Sequence, residues 1–165
     1  MLPKKAKSPD DFQTPVRALN PLYPYIPKDK IIWEPAMGKG NLTNELITQG
    51  YEVIGTDIKQ GVDFLEWEPE RYDIIVTNPP YSIKTKWLER CYELNKPFAM
   101  LLPLTALESQ ARQKLYKQYG MSMILFNKRI NYETPNKVKN SSAWFASAWF
   151  CWGLELPNQL NFVDY

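Results

Sequence analysis

The chain has 165 residues, 44% of them hydrophobic and 23% charged, which predicts one globular domain around a single core. No apolar run approaches the roughly 20 residues that span a bilayer, and no apolar signal segment opens the sequence, so neither a membrane protein nor a secreted one is expected. There is no histidine, which removes Ser-His-Asp and Cys-His nucleophilic machinery and every metal site that needs imidazole; no metal is expected.

Seven of the fourteen prolines fall in the first 35 residues, so residues 1–30 read as an extended or turning arm, with a short helix at most over Val16–Leu19. From residue 31 strands and helices alternate. Ile31-Ile32-Trp33 is a short buried strand. Asn41 to Gln49 is a helix with Asn41 as its cap, Leu42, Leu46 and Ile47 turned inward, and Gly50 past its end. Tyr51–Thr56 and Ile74–Val76 are the next strands, the second closed by Asn-Pro-Pro. Thr85–Leu94 is helical, Phe98–Leu102 a strand, Ala106–Tyr119 a helix ended by Gly120, and Met121–Phe126 a strand. Ala143–Trp152 is apolar on both alternating faces, the pattern of a central strand covered on both sides.

A polar loop over residues 131–142, rather than a helix, joins these last two strands, which predicts that they run antiparallel. The expected architecture is α/β: a single-domain, doubly wound (Rossmann-like), mostly parallel sheet with an antiparallel C-terminal strand pair. The arm takes residues 1–30, the core 31–153 and a tail 154–165, with no separate target-recognition domain. Cys91 and Cys151, 60 residues apart and outside any C-x-x-C pattern, read as reduced, buried thiols of a cytoplasmic protein.

Chemistry concentrates in two turns. Glu34-Pro35-Ala36-Met37-Gly38-Lys39-Gly40-Asn41 leaves a strand and opens a helix, where doubly wound sheets bind ligands. Thr43 stands where the third glycine of a dinucleotide fingerprint would be, so that reading fails. Glu34 suits a cationic or amine-bearing ligand, and Asp57, ending the second strand, matches a carboxylate that holds a ribose hydroxyl pair. Equally, the glycines could only shape a tight turn and Asp57 only cap a loop.

Asn78-Pro79-Pro80-Tyr81 carries the most information. Pro79 has no N–H and is pushed into an extended conformation by Pro80, so its carbonyl is displayed beside the Asn78 side-chain oxygen. Two converging acceptors suit an –NH2 group, and Tyr81 adds an aromatic face for a planar base. The arrangement fits a planar substrate with an exocyclic amine.

This tetrapeptide resembles the catalytic motif of class I S-adenosylmethionine-dependent amino-methyltransferases, above all the small DNA N6-adenine type of phage and bacteria. The resemblance spans residues 11 to 153. It implies that the turn Glu34–Gly40 holds S-adenosylmethionine, that Asp57, followed by Ile58, meets its ribose, and that Asp63-Phe64 meets its adenine. It also implies that Asp11-Phe-Gln-Thr14-Pro15 lies beside its methionine moiety and that Asn78 touches both cofactor and base. The stretches Lys128–Tyr132 and Ser142–Phe145 are similar to that family as well. Against the family pattern, only residues 58–62 separate Asp57 from Asp63, which nearly removes a helix usual there.

The net charge of +2 hides a polarity: residues 52–73 balance at −5 and residues 112–139 at +6. These are either two solvated faces or a basic surface for a polyanion. On the second reading Lys84, Lys86, Arg112, Lys128, Arg129, Lys137 and Lys139 carry nucleic-acid phosphates, DNA ahead of RNA. Trp144 and Phe145 fit core packing better than a wall of the base pocket. The expected activity is methyl transfer to the N6 amine of adenine in DNA, by a monomer or weak homodimer. The alternatives are adenine N6 in RNA, a protein glutamine amide, and a binding protein that keeps the cofactor without catalysis.

Overall fold

The computed structural model describes residues 13–132 and 145–165. Seven strands form one sheet: β1 (Ile31–Glu34), β2 (Glu52–Gly55), β3 (Ile74–Thr77), β4 (Phe98–Pro103), β5 (Ser122–Phe126), β6 (Ser147–Trp152) and β7 (Leu160–Val163). Their spatial order is β2-β1-β3-β4-β6-β5-β7. β1 to β4 are parallel, and β6 runs antiparallel to both of its neighbours, β4 and β5. The α/β reading from sequence holds, including the reversal at residues 147–152.

Burial explains this order. All side chains of β1, β3 and β4 are buried, as are five of the six in β6, so the continuous apolar runs become the middle of the sheet. Edge strands β2 and β7 alternate or are half-exposed, as polar or short strands must be. β7, lying in what reads as a tail after residue 153, pairs in parallel with β5. Its few apolar residues give too weak an alternation to read as a strand. Three α-helices pack around the sheet: α1 (Asn41–Thr48), α2 (Lys84–Leu94) and α3 (Gln110–Tyr119). None is long and apolar enough to cross a membrane, and among the described residues no acidic or cysteine cluster is placed to hold a metal ion.

Three local expectations are corrected. Asn41 is the first helical residue rather than the cap; Gly40, at φ 90°, is the cap. Ile47 is 52% exposed, because only Leu42 and Leu46 fall on the stripe facing the core. The helix read from Ala106 starts at Gln110 instead, after a 3₁₀ turn over Leu104–Leu107, with the Ser109 hydroxyl accepting from Arg112 N–H at 3.2 Å.

The arm is more regular than its prolines suggest. Val16–Tyr25 forms a 3₁₀ helix containing Pro21 and Pro24, and Ala18, Leu19 and Leu22 are fully buried. The Trp149 indole N–H donates to Ala18 O at 2.8 Å and the Tyr51 hydroxyl to Ile26 O at 2.7 Å. The arm is thereby fixed to β6 and to the residue preceding β2, which delivers Gln13 and Thr14 to the carboxyl ends of the strands. Cys91 and Cys151 are buried and unbridged, and burial pushes both thiols well up.

Candidate active site

The glycine turn after β1 is stitched to the chain just beyond β2. Thr56 N–H donates to Glu34 O at 2.9 Å, Met37 N–H to Thr56 O at 3.0 Å, and Gly40 N–H to Met37 O at 2.7 Å. Gly38 at φ 53° and Gly40 at φ 90° occupy left-handed conformations that a side chain would strain. A Cβ on Gly38 would also stand 3.1 Å from the Gln13 amide, which lies over the turn. Pro35 is buried, while Ala36 and Met37 are half-buried.

Asp57 caps the short 3₁₀ turn after β2 and also braces the glycine turn. Its Oδ2 accepts from Gly38 N–H and its Oδ1 from Lys59 N–H, each at 2.9 Å. Each carboxylate oxygen has two lone pairs, so one acceptor position remains on each. Ile58, next in the chain, is 65% exposed, an apolar surface beside that carboxylate.

Glu34 lies beneath the turn and is 1% exposed. Its Oε1 accepts from the Thr77 hydroxyl at 2.5 Å and from Ala36 N–H at 2.9 Å, joining the end of β1 to the end of β3. Burial pushes its pKa from 4.5 up to about 8, against the pull of the Thr77 and Ala36 hydrogen bonds; the nearby Asp57 charge adds to the rise. Through Oε1, Glu34 braces the glycine turn against the end of β3.

Thr77 places Asn78 directly after the buried end of β3. The Asn78 Nδ2 donates to the buried Thr14 hydroxyl at 2.8 Å, which fixes the amide plane. Asn78 Oδ1 is buried and has no hydrogen-bond partner among the described residues. An unsatisfied acceptor of this kind costs about 1–3 kcal/mol, and a ligand donor would recover it. Pro79 is buried, and Pro80 is extended at φ −62°, ψ 119°. The Tyr81 ring is only 8% exposed, meeting Phe145 edge-on at 5.7 Å.

Asp63 accepts from Leu65 N–H at 2.9 Å through Oδ1. The Phe64 ring is turned into the core, 2% exposed and stacked on Trp87 at 4.1 Å, so it offers a ligand backbone rather than aromatic surface. Pro15, half-buried, begins the arm's helix. The structure thus gathers Gln13, Thr14, the turn 34–40, Asp57, Ile58 and Asn78 on one edge of the sheet. Thr56 and Thr77 escape a sequence reading because they act through hydrogen bonds that no spacing announces.

The basic residues divide. Lys86, Lys128 and Arg129 are exposed, the last two directly after β5, whose carboxyl end lies on the same sheet edge as that of β3. Lys84 donates to Tyr81 O at 3.2 Å. Arg112 is committed to the fold: its guanidinium donates to Ala106 O at 2.8 Å, to the Thr85 hydroxyl at 2.9 Å and to Glu108 O. That corrects its placement among phosphate contacts. Lys137, Lys139 and Trp144, like Asp11 and Phe12, lie outside the described residues.

No protein-family model matches the chain, and a search of curated proteins finds no match either. Solved structures do match. A proposed class I S-adenosylmethionine-dependent methyltransferase from Listeria monocytogenes aligns with 97% of this chain and 68% of its own, at 12% identity and TM-score 0.64. A modification subunit of a proposed type I restriction enzyme from Vibrio vulnificus aligns with 85% of this chain at 12% identity and TM-score 0.55; this chain spans 44% of it. A proposed RNA methyltransferase from Pyrococcus horikoshii aligns with 75% of this chain and 73% of its own, at 14% identity and TM-score 0.51. The fold is that of the class I methyltransferases.

Proposed function

We propose that this chain, folded as a class I methyltransferase, transfers a methyl group from S-adenosylmethionine to the N6 amine of adenine in DNA. The observation that carries this reading is the buried Asn78 Oδ1, unpartnered among the described residues and held in place by Thr14 at the end of a central strand. DNA as the polymer rests on the resemblance of Asn78–Tyr81 to the motif of small DNA adenine methyltransferases.

The residues present fit the cofactor. Gly38 and Gly40 let backbone approach it closely, Asp57 keeps two acceptor positions for a pair of hydroxyls, and Ile58 offers apolar surface beside them. Asp63 and the backbone of Phe64 are the candidates for its adenine, and Thr14 and Pro15 for its methionine end. Bound there, S-adenosylmethionine supplies an electrophilic methyl group.

The protein's part in the chemistry is positioning and charge stabilisation. Adenine's amine is a weak nucleophile because its lone pair is delocalised into the ring. Asn78 Oδ1 and the Pro79 carbonyl accept from its two hydrogens, favour a tetrahedral nitrogen, and stabilise the positive charge that develops there. Because Thr14 already holds the Asn78 amide, little reorganisation is needed. The target base must leave a duplex stack to reach these atoms, so single strands or flipped bases are the substrates.

Oligonucleotides in which adenine is replaced by purine, lacking only the exocyclic amine, should accept no methyl group. Continued acceptance would overturn the role given to Asn78. The phosphate contacts have their own test. Lys128→Ala should lower the salt dependence of duplex binding by about 0.9 in log–log slope, the share of one phosphate. Arg112→Ala should leave that slope unchanged and cost about 1–3 kcal/mol of stability, read by denaturant unfolding.

A further inference from the structure

Residues 133–144 leave the described chain at Tyr132 and rejoin it at Phe145, and these two rings meet at the motif's tyrosine. Tyr132 and Phe145 stack with centroids 5.7 Å apart at 29°, and Phe145 stands edge-on to Tyr81. The Tyr81 hydroxyl lies 3.3 Å from that of Tyr132, which in turn donates to Ser147 Oγ at 2.7 Å. A phenol has one proton, so Tyr132, having given its own to Ser147, accepts from Tyr81. The result is a directed hydroxyl chain, Tyr81 to Tyr132 to Ser147, in which every member is buried.

Its far end is rigid. Ser147 is the first residue of β6, in register with Pro103 of β4, and Leu104 N–H donates to the adjoining Ala146 O at 2.9 Å. Its near end is the Tyr81 side chain, buried and edge-on to Phe145. Burial pushes the Tyr132 phenol up to about 12, so it remains a protonated link at neutral pH. A buried chain of hydrogen-bonded hydroxyls favours one side-chain arrangement where apolar packing alone would allow several.

We infer that Tyr132 and Ser147 are positioning residues for the Asn78–Tyr81 motif: with the Phe145 ring, their hydroxyl chain fixes the Tyr81 ring against which the methyl acceptor is placed. The inference rests on the reading of Asn78–Tyr81 as the acceptor site. Neither residue needs to touch the acceptor; both act through Tyr81.

The test uses the full chain with ring-13C-labelled tyrosine, in which the Tyr81 signals are identified by their loss in Tyr81→Phe. Tyr132→Phe removes the hydroxyl and keeps the ring on Phe145; Ser147→Ala removes the anchor. In both variants the Tyr81 signals should shift or broaden. Turnover should fall about three- to tenfold, what one net hydrogen bond supplies, with affinity for S-adenosylhomocysteine within about twofold of wild type. In a Tyr81→Phe background neither substitution should lower turnover further. Unmoved Tyr81 signals in both variants, or turnover losses that add to that of Tyr81→Phe, would overturn the inference. Should the wild-type protein methylate no adenine, the acceptor reading falls, while the Tyr81 signals still decide whether the hydroxyl chain holds the ring.

Discussion

Asn78→Ala is expected to lower methyl transfer by roughly 10²–10³-fold or more, with affinity for S-adenosylhomocysteine changed by less than about threefold. The size follows from what the proposed function has Asn78 supply: a buried, preorganised acceptor at the nitrogen where charge develops. Its selectivity follows from geometry. The Asn78 amide is held through Nδ2 by Thr14, and its Oδ1 has no partner among the described residues. Two of the elements implied in cofactor binding, the glycine turn and Asp57, hold each other through Gly38 N–H without Asn78, and among the other cofactor candidates Thr14 is the one bonded to it. Initial rates with labelled cofactor and calorimetric titration separate the two effects. Equal loss of both would place Asn78 in the framework of the cofactor site instead.

Rising pH should destabilise the protein through Glu34, and Glu34→Gln should remove that dependence. The folded carboxyl titrates near 8 and the unfolded one near 4.5, so between these values the folded state holds a proton that the unfolded state has lost. Stability from this group is complete below about 4.5 and is lost as pH rises through about 8, with a slope on the order of 1 kcal/mol per pH unit at most. Glutamine keeps an acceptor for Thr77 and Ala36 and cannot ionise. Urea unfolding at pH 5, 7 and 9 reads the difference between variant and wild type, in which other titrating groups cancel. The glutamine variant should gain relative stability toward pH 9; parallel profiles would mean that Glu34 ionises freely in the folded state.

The parts of this molecule that are legible in sequence are those written as periodicity or as backbone chemistry. The apolar run through residue 152 announces a central strand, and β6 lies between β4 and β5. The polar composition of residues 131–142, which reads as a loop, announces the strand reversal, and Gly38 and Gly40 announce a turn that requires positive φ. What stays hidden depends on partners distant in the chain. Asn78 and Thr14 are 64 residues apart, and nothing in either neighbourhood tells that one holds the other. Glu34 reads as a ligand group by position, yet the close approach of Thr77 turns it into an internal brace. Arg112 reads as a surface cation because charge is visible in sequence and hydrogen-bond commitment is not. Ser147 hides in an apolar strand as one small polar residue, although a hydroxyl at the site end of a buried strand is the signal that could have found it.

Whether Asn78–Tyr81 presents its acceptors to an adenine amine is decided by the methylated product. The most direct measurement gives the protein methyl-labelled S-adenosylmethionine with duplex DNA, single-stranded DNA, RNA and protein, and identifies the labelled product by mass spectrometry. N6-methyladenine in DNA is the expected product. Label on a protein glutamine, or no label on any adenine, would contradict it.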